Sequence, residues 1–431
     1  IPQSSSSVAY LTSTYNSGYM TGDIKGAWLS DTDTTNVVGT ELVTNGTFDS
    51  DITGWTSAAY NGTAVWNATG ALDITVASSE NYMVATQSAI PVVIGKTYVF
   101  TFDLSTTGSA LVYLGRSGAS TQYHNSGGIQ AGYSVTFVAT HDNVIINVYS
   151  YTANSVATYD NISLKLADSD RSVNNNGLQV NGTITKTAVA TGADLVAYSG
   201  FSAANYLEQP YNADLNFGTG DFSISGWFYK NGTDGNSAMF WRGRDSYNAG
   251  GHMMLVLSGG EVYCYSSNTA AWNNHIQGTT AISTGVWTHL CWTRSGGSNK
   301  VYINGDLAST STDSTSLIDN EAVCRLGARQ NGNDSSDGKQ ALWRVSATAP
   351  TAAQIKEIYE AEKPMFQENA KCTLNGSSDA VQCMAYDDST DLLHVGTSGG
   401  RSTFQGLVRV DETSINTTEI SAQGGMIVEE N

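Results

Sequence analysis

Apolar and polar residues alternate with a period of two along most of this chain, in short runs broken by Gly, Asn or Asp. Ala71-Leu72-Asp73-Ile74-Thr75-Val76, Tyr98-Val99-Phe100-Thr101-Phe102-Asp103-Leu104 and Val144-Ile145-Ile146-Asn147-Val148-Tyr149 show the pattern. β-Branched and aromatic residues dominate these runs, so each reads as a strand with one buried face. Many short strands with no helical text between them predict a sandwich or a barrel. One segment departs from this. Thr351 is placed to cap a helix, Gln354 follows three residues later, Ile355, Ile358 and Tyr359 form one apolar stripe, and Pro364 ends it.

The texture of the chain changes at several points. Residues 1–40 are polar and irregular and bury too little to stand alone, so they are expected to dock on a neighbour. Residues 41–167 form one set of strands. Asp168-Ser169-Asp170-Arg171-Ser172 reads as a short linker, and the second unit, with its terminal helix, spans 168–365. Residues 366–431 differ again, with strands over Val381–Tyr386, Leu392–Gly396 and Gly406–Val410.

Charge narrows the possible partners. Lys plus Arg number 20 against 39 Asp plus Glu, a net −19. This balance argues against nucleic acid, which needs a basic face, and against adsorption to anionic membranes. No stretch approaches the roughly 20 apolar residues of a membrane span, and no signal peptide is visible, so membrane insertion is not expected. An acidic, Thr/Ser/Asn/Gly-rich chain is typical of extracellular β-proteins and of virion appendages. The five cysteines make a poor disulfide framework. Cys264, Cys291 and Cys324 sit in strand text and read as buried thiols; Cys372 and Cys383 are placed to bridge a short hairpin.

Two resemblances add to this reading. Asn45-Gly46-Thr47-Phe48, Trp55, Gly95-Lys96-Thr97-Tyr98-Val99-Phe100-Thr101-Phe102 and Asp160-Asn161-Ile162-Ser163-Leu164 resemble the carbohydrate-binding jelly rolls found beside bacterial glycanases. That resemblance implies a structural Ca²⁺ between first and last strands, held here by Asp49 and Asp160; the alternative is ordinary polar strand ends. Gly220-Asp221-Phe222-Ser223-Ile224-Ser225-Gly226-Trp227-Phe228, Gly285-Val286-Trp287-Thr288-His289-Leu290-Cys291-Trp292, Lys300-Val301-Tyr302-Ile303-Asn304-Gly305 and Trp343-Arg344-Val345 resemble the laminin G-like, concanavalin A-type sandwich. The expected fold class is therefore all-β: two tandem jelly-roll sandwiches, an N-terminal extended segment and a small C-terminal β region. Ala385–Thr397 resembles one blade of a β-propeller, which has no closed ring to cover its faces and must pack on the preceding unit or between subunits.

Candidate chemistry points to recognition. Glucanases of the sandwich class carry E-x-D-x-x-E on a strand, with alternate carboxylates facing one cleft. No such run occurs here, and Glu357, Glu360 and Glu362 read as the solvated face of the helix. His289, between Trp287 and Trp292, reads as a core or rim residue. Sugars are held by aromatic faces with nearby amides and carboxylates. The candidates are Trp55, Tyr60 and Trp66 in the first unit and Trp241, Tyr247, Trp272 and Asn273 in the second, with Trp55 and Trp241 each more readily core. Gly18–Leu29 resembles short N-terminal segments of bacteriophage virion proteins. The expectation is a non-enzymatic virion-surface appendage, such as a tail fibre or spike. It would bind host surface polysaccharide and other virion proteins as a homo-oligomer, with a trimer as the guess. A secreted adhesin and a purely structural virion or filament subunit are the alternatives.

Overall fold

The computed structural model describes residues 8–430 apart from 15, 59–61, 78–81, 128–129, 233–234, 245–250, 269–273 and 330–333. The protein is nearly all β, with one α-helix among the described residues, Ala352–Glu362. Thr351 caps that helix in a capping box with Gln354, as its sequence dictates.

The first sandwich has two five-stranded sheets. One runs Ala119–Gly127, Ala110–Arg116, Asn143–Ser150, Met83–Pro91, Thr56–Ser57. The other runs Gly62–Asn67, Ala71–Val76, Val156–Asp168, Thr97–Thr106, Gln130–Val138. Thr97–Thr106 shows why: Tyr98, Phe100, Phe102 and Leu104 fill the core, while Thr101, Asp103 and Ser105 take the other face.

The second sandwich pairs a sheet built on Phe222–Lys230, Trp287–Ser295 and Gly338–Ser346 with one built on Leu178–Ala188, Tyr206–Gln209, Val323–Leu326, Ser237–Gly243, His252–Ser258, Glu261–Ser267 and Asn274–Gln277. Its three central strands are buried on both faces, which matches their near-continuous apolar text. Gly226 lies under the indole of Trp343, and a Cβ there would fall 2.4 Å from that ring.

The first forty residues belong to this second sandwich. Strand Ile24–Trp28 pairs with Gly338–Ser346, with Trp28 opposite Trp343, and Val37–Gly39 pairs with Leu178–Ala188. The first sandwich is therefore spliced into the second, between two strands of the same unit. The segment read as a linker is a clamp. Asp170 accepts from the backbone N–H groups of Ala27, Ser172 and Asn176. Asp168 is buried; its Oδ2 accepts from Leu29 N, and its Oδ1 lies 2.8 Å from the Tyr198 hydroxyl. Lys186 and Asp31 add an ion pair at 2.7 Å.

The C-terminal region is a four-stranded antiparallel meander, Val381–Asp387, Leu392–Thr397, Gly400–Gln405 and Val408–Thr413, followed by the hairpin Glu419–Gln423 and Met426–Glu430. The blade-like text thus gives a blade-like sheet, and it packs on the second sandwich. Leu407 and Cys372 join Trp227, Met365 and Phe366 in one buried cluster. All five cysteines are free thiols, so Cys372 and Cys383 do not bridge. Cys372 is buried in that cluster, while the Cys383 thiol donates to Thr417 O within the meander.

Glu362 corrects the reading of the helix. Glu357 and Glu360 are solvated, but Glu362 is fully buried and paired with Arg344. It sits on the stripe that Ile355 and Ile358 turn toward the sandwich, and there it meets a cation that the sheet supplies.

Candidate ligand-binding faces

Two clusters of half-buried tyrosines lie on outward sheet faces, one on each sandwich. In the first, period two places Tyr149 and Tyr151 away from the core that holds Val148. Tyr113 joins them from the neighbouring strand, where it stands opposite Asn147. Ring centroids are 4.8 Å apart for Tyr113–Tyr149 and 5.4 Å for Tyr149–Tyr151, with the latter pair stacked. Tyr82 closes the group at 5.7 Å from Tyr151. Beside the rings, Thr86 Oγ1 donates to Asn147 Oδ1 at 2.8 Å and fixes that amide. Burial, followed by the neighbouring tyrosines, pushes the Tyr149 phenol up, so it stays neutral near pH 7.

The second cluster follows the same rule. Val262 and Cys264 point into the core, so Tyr263 and Tyr265 point out. Their rings lie 6.0 Å apart and nearly coplanar, at 11°, and His275 lies 5.7 Å from Tyr265. A tyrosine face of this kind can lie against the apolar side of a sugar ring while flanking hydroxyls and amides hold its oxygens.

The residues singled out from sequence are distributed differently. Trp55 is 6% exposed, packs on Phe48, and donates through Nε1 to Thr44 O at 3.2 Å, so it is core. Trp241 is 1% exposed and lies beneath the second tyrosine face with Met254 and Val256, against His252. Trp66 is 39% exposed, with Nε1 tied to Phe48 O at 2.7 Å, and keeps an open ring on the first sandwich. Tyr60, Tyr247, Trp272 and Asn273 lie outside the described residues. The tyrosine faces were missed because most of their members, Tyr113, Tyr149, Tyr263 and Tyr265, sit in strands rather than loops. The usable signal was Tyr-x-Tyr, at 149/151 and 263/265, around a core residue.

Asp49 and Asp160 are close enough for the charge of Asp49 to help hold the Asp160 carboxyl above its ordinary range, behind desolvation and Asp103. Calcium takes six to eight oxygens. Among the described residues no three His, Cys, Asp or Glu side chains gather as a metal set, so the pair does not make a shell by itself.

His289 is core. It packs against Trp227 at 5.4 Å and Tyr359 at 6.2 Å, and burial, with the nearby Arg344 charge, pushes its pKa down to about 3.

Comparison with known proteins fits the second sandwich. Residues 201–356 match the Laminin G family model described as the concanavalin A-like lectin/glucanases superfamily, so this part of the chain is similar to that family. No curated protein sequence matches the chain. Among solved structures, domain 4 of an extracellular arabinanase from Geobacillus stearothermophilus, in complex with arabinotriose, is 22% identical; the match covers 44% of this chain and 92% of that one, at a TM-score of 0.37. A heptameric pentraxin from Limulus polyphemus is 18% identical over 33% of this chain and 70% of that one, at 0.28. The receptor-binding domain of a botulinum neurotoxin C/D mosaic serotype is 13% identical over 56% of this chain and 59% of that one, at 0.37.

Proposed function

We propose that this protein is a non-catalytic glycan-recognition protein of a bacteriophage virion surface, a tail fibre, spike or capsid-surface fibre that contacts host polysaccharide. The observation that carries the glycan reading is the pair of outward tyrosine faces, Tyr113/Tyr149/Tyr151 and Tyr263/Tyr265, on two sandwiches of which one is similar to the lectin/glucanase family. The virion reading is supported by the acidic, Lys-poor composition and by the Gly18–Leu29 segment. Recognition would be weak per site and strong per particle, because linked copies raise effective concentration.

A homo-oligomer, trimeric in this proposal, would supply those copies. Its support is the C-terminal region, where Met384, Tyr386, Met426 and Val428 are exposed apolar side chains on a small sheet and hairpin.

Binding of the purified protein to a glycan array and to candidate host cells tests the proposal. Wild type is expected to bind, and Tyr149→Ala or Tyr263→Ala to lose roughly tenfold per site, about the worth of one stacking contact. Array binding by neither wild type nor assembled particles would move the assignment to a purely structural subunit.

A further inference from the structure

The seam between the two sandwiches holds a cavity of about 690 Å³, within the usual range for small-molecule sites. One wall is the outward face of the first sandwich, with Thr101, Asp103, Ser105 and Asp160. The other is the rim of the second, with Tyr211 and Asn320. A smaller pit of about 190 Å³ adjoins it further along strand Thr97–Thr106, and Pro210 lines both spaces. The pit is rich in amides, Asn174, Asn175, Asn176 and Asn212 among them.

We infer that this seam is a second binding site, for a short uncharged oligosaccharide that touches both sandwiches. Three observations carry this. First, Gln209 lines the pit, is only 3% exposed, and its Oε1 has no hydrogen-bond partner. A buried acceptor left unmade costs stability, and a ligand hydroxyl would satisfy it. Second, Asp103 and Asp160 stand directly opposite each other in the strand ladder, an unfavourable placement for like charges. The Asn161 amide bridges them, at 2.8 Å to Asp103 Oδ2 and 3.3 Å to Asp160 Oδ2. Paired carboxylates on an open wall are acceptors for sugar hydroxyls. Third, the lining includes Asp103, Asp160, Glu208 and Glu321 and, among the described residues, no Lys or Arg. Glu208 and Glu321 are ion-paired with Arg325 and Arg244, neither of which lines the cavity. The remaining charge excludes uronic and sialic acids and leaves neutral saccharides. The site is separate from the Tyr113/Tyr149/Tyr151 face, which lies on the other sheet of the first sandwich.

The test is calorimetric titration and thermal melting of the full chain with maltotriose, cellotriose and chitotriose, and with trigalacturonic acid as the anionic comparison. At least one neutral trisaccharide is expected to bind and to raise Tm, because a ligand that spans the seam stabilises the folded state. Thr101→Trp, which fills the trough from an outward strand position, is expected to weaken that binding at least about tenfold, and Gln209→Leu several-fold, with Tyr149→Ala unchanged. Four results would overturn the inference: no neutral trisaccharide binds wild type, binding survives Thr101→Trp in a folded protein, binding disappears in Tyr149→Ala, or trigalacturonic acid binds equally well. The third of these would assign the binding to the tyrosine face and leave the proposed function standing.

Discussion

Arg344 and Glu362 form a fully buried ion pair, with Arg344 Nη2 2.9 Å from Glu362 Oε2. Two further donors converge on the same carboxylate: Trp227 Nε1 at 2.8 Å and Tyr19 N at 3.2 Å. One side chain thus joins the C-terminal helix, the central sheet and strand Asn16–Met20 of the N-terminal segment. Truncating one partner leaves the other charge buried and unpaired, which typically costs 3–5 kcal/mol. Glu362→Ala is expected to lose about that much in urea unfolding, while the solvated Glu360→Ala stays within about 0.5 kcal/mol.

His289 makes stability depend on pH. Its folded pKa is depressed to about 3, below the ordinary value of 6.5. The stabilising contribution of the neutral ring is therefore complete above about pH 6.5 and lost as pH falls toward 3. Both ring nitrogens are buried without partners, so Phe is a tolerable replacement. Relative to wild type, His289→Phe is expected to gain about 1.4 kcal/mol for each pH unit between 6 and 4. Parallel denaturation curves at both ends of that range would reject the assignment.

The splice makes an asymmetric deletion prediction. Leu42 N donates to Leu164 O at 3.0 Å, so the two ends of the inserted sandwich lie side by side. Replacing residues 41–167 by a short Gly/Ser bridge is expected to leave a folded second sandwich. Deleting residues 1–40, only about a third as long, is expected to give aggregated protein, because it strips Ile24–Trp28 from the central sheet. Circular dichroism and size-exclusion chromatography distinguish the two.

Calcium remains a proposal for Asp49 and Asp160. With the ion bound there, EDTA lowers Tm and Asp160→Asn abolishes that sensitivity; a Tm unmoved by chelator in wild type removes the ion from the account.

Much of the fold was legible because burial writes itself into alternation. The Thr97–Thr106 and Phe222–Lys230 texts gave their strands directly, and Thr351/Gln354 gave the helix start. What alternation does not record is partnership. Nothing in Ile24–Trp28 says that its partner lies at Gly338–Ser346, beyond an entire intervening sandwich, so the splice read as a linker between tandem units. Glu362 looked like a solvated helix residue because its cation comes from elsewhere in the chain. Loop tryptophans drew attention as sugar platforms, yet Trp55 and Trp241 are where large apolar rings bury best. The tyrosines, which tolerate one wet edge, are the rings left at the surface.

The splice also sets how this molecule carries mechanical load. Tension between strand Ile24–Trp28 and the C-terminal meander runs through the second sandwich and through the N-terminal segment, where Leu374 N donates to Thr12 O at 2.9 Å. The first sandwich hangs outside that path as a slack loop until Ile24–Trp28 is sheared from Gly338–Ser346. Under pull, the Tyr113/Tyr149/Tyr151 face, on the first sandwich, is therefore expected to keep its shape longer than the second sandwich.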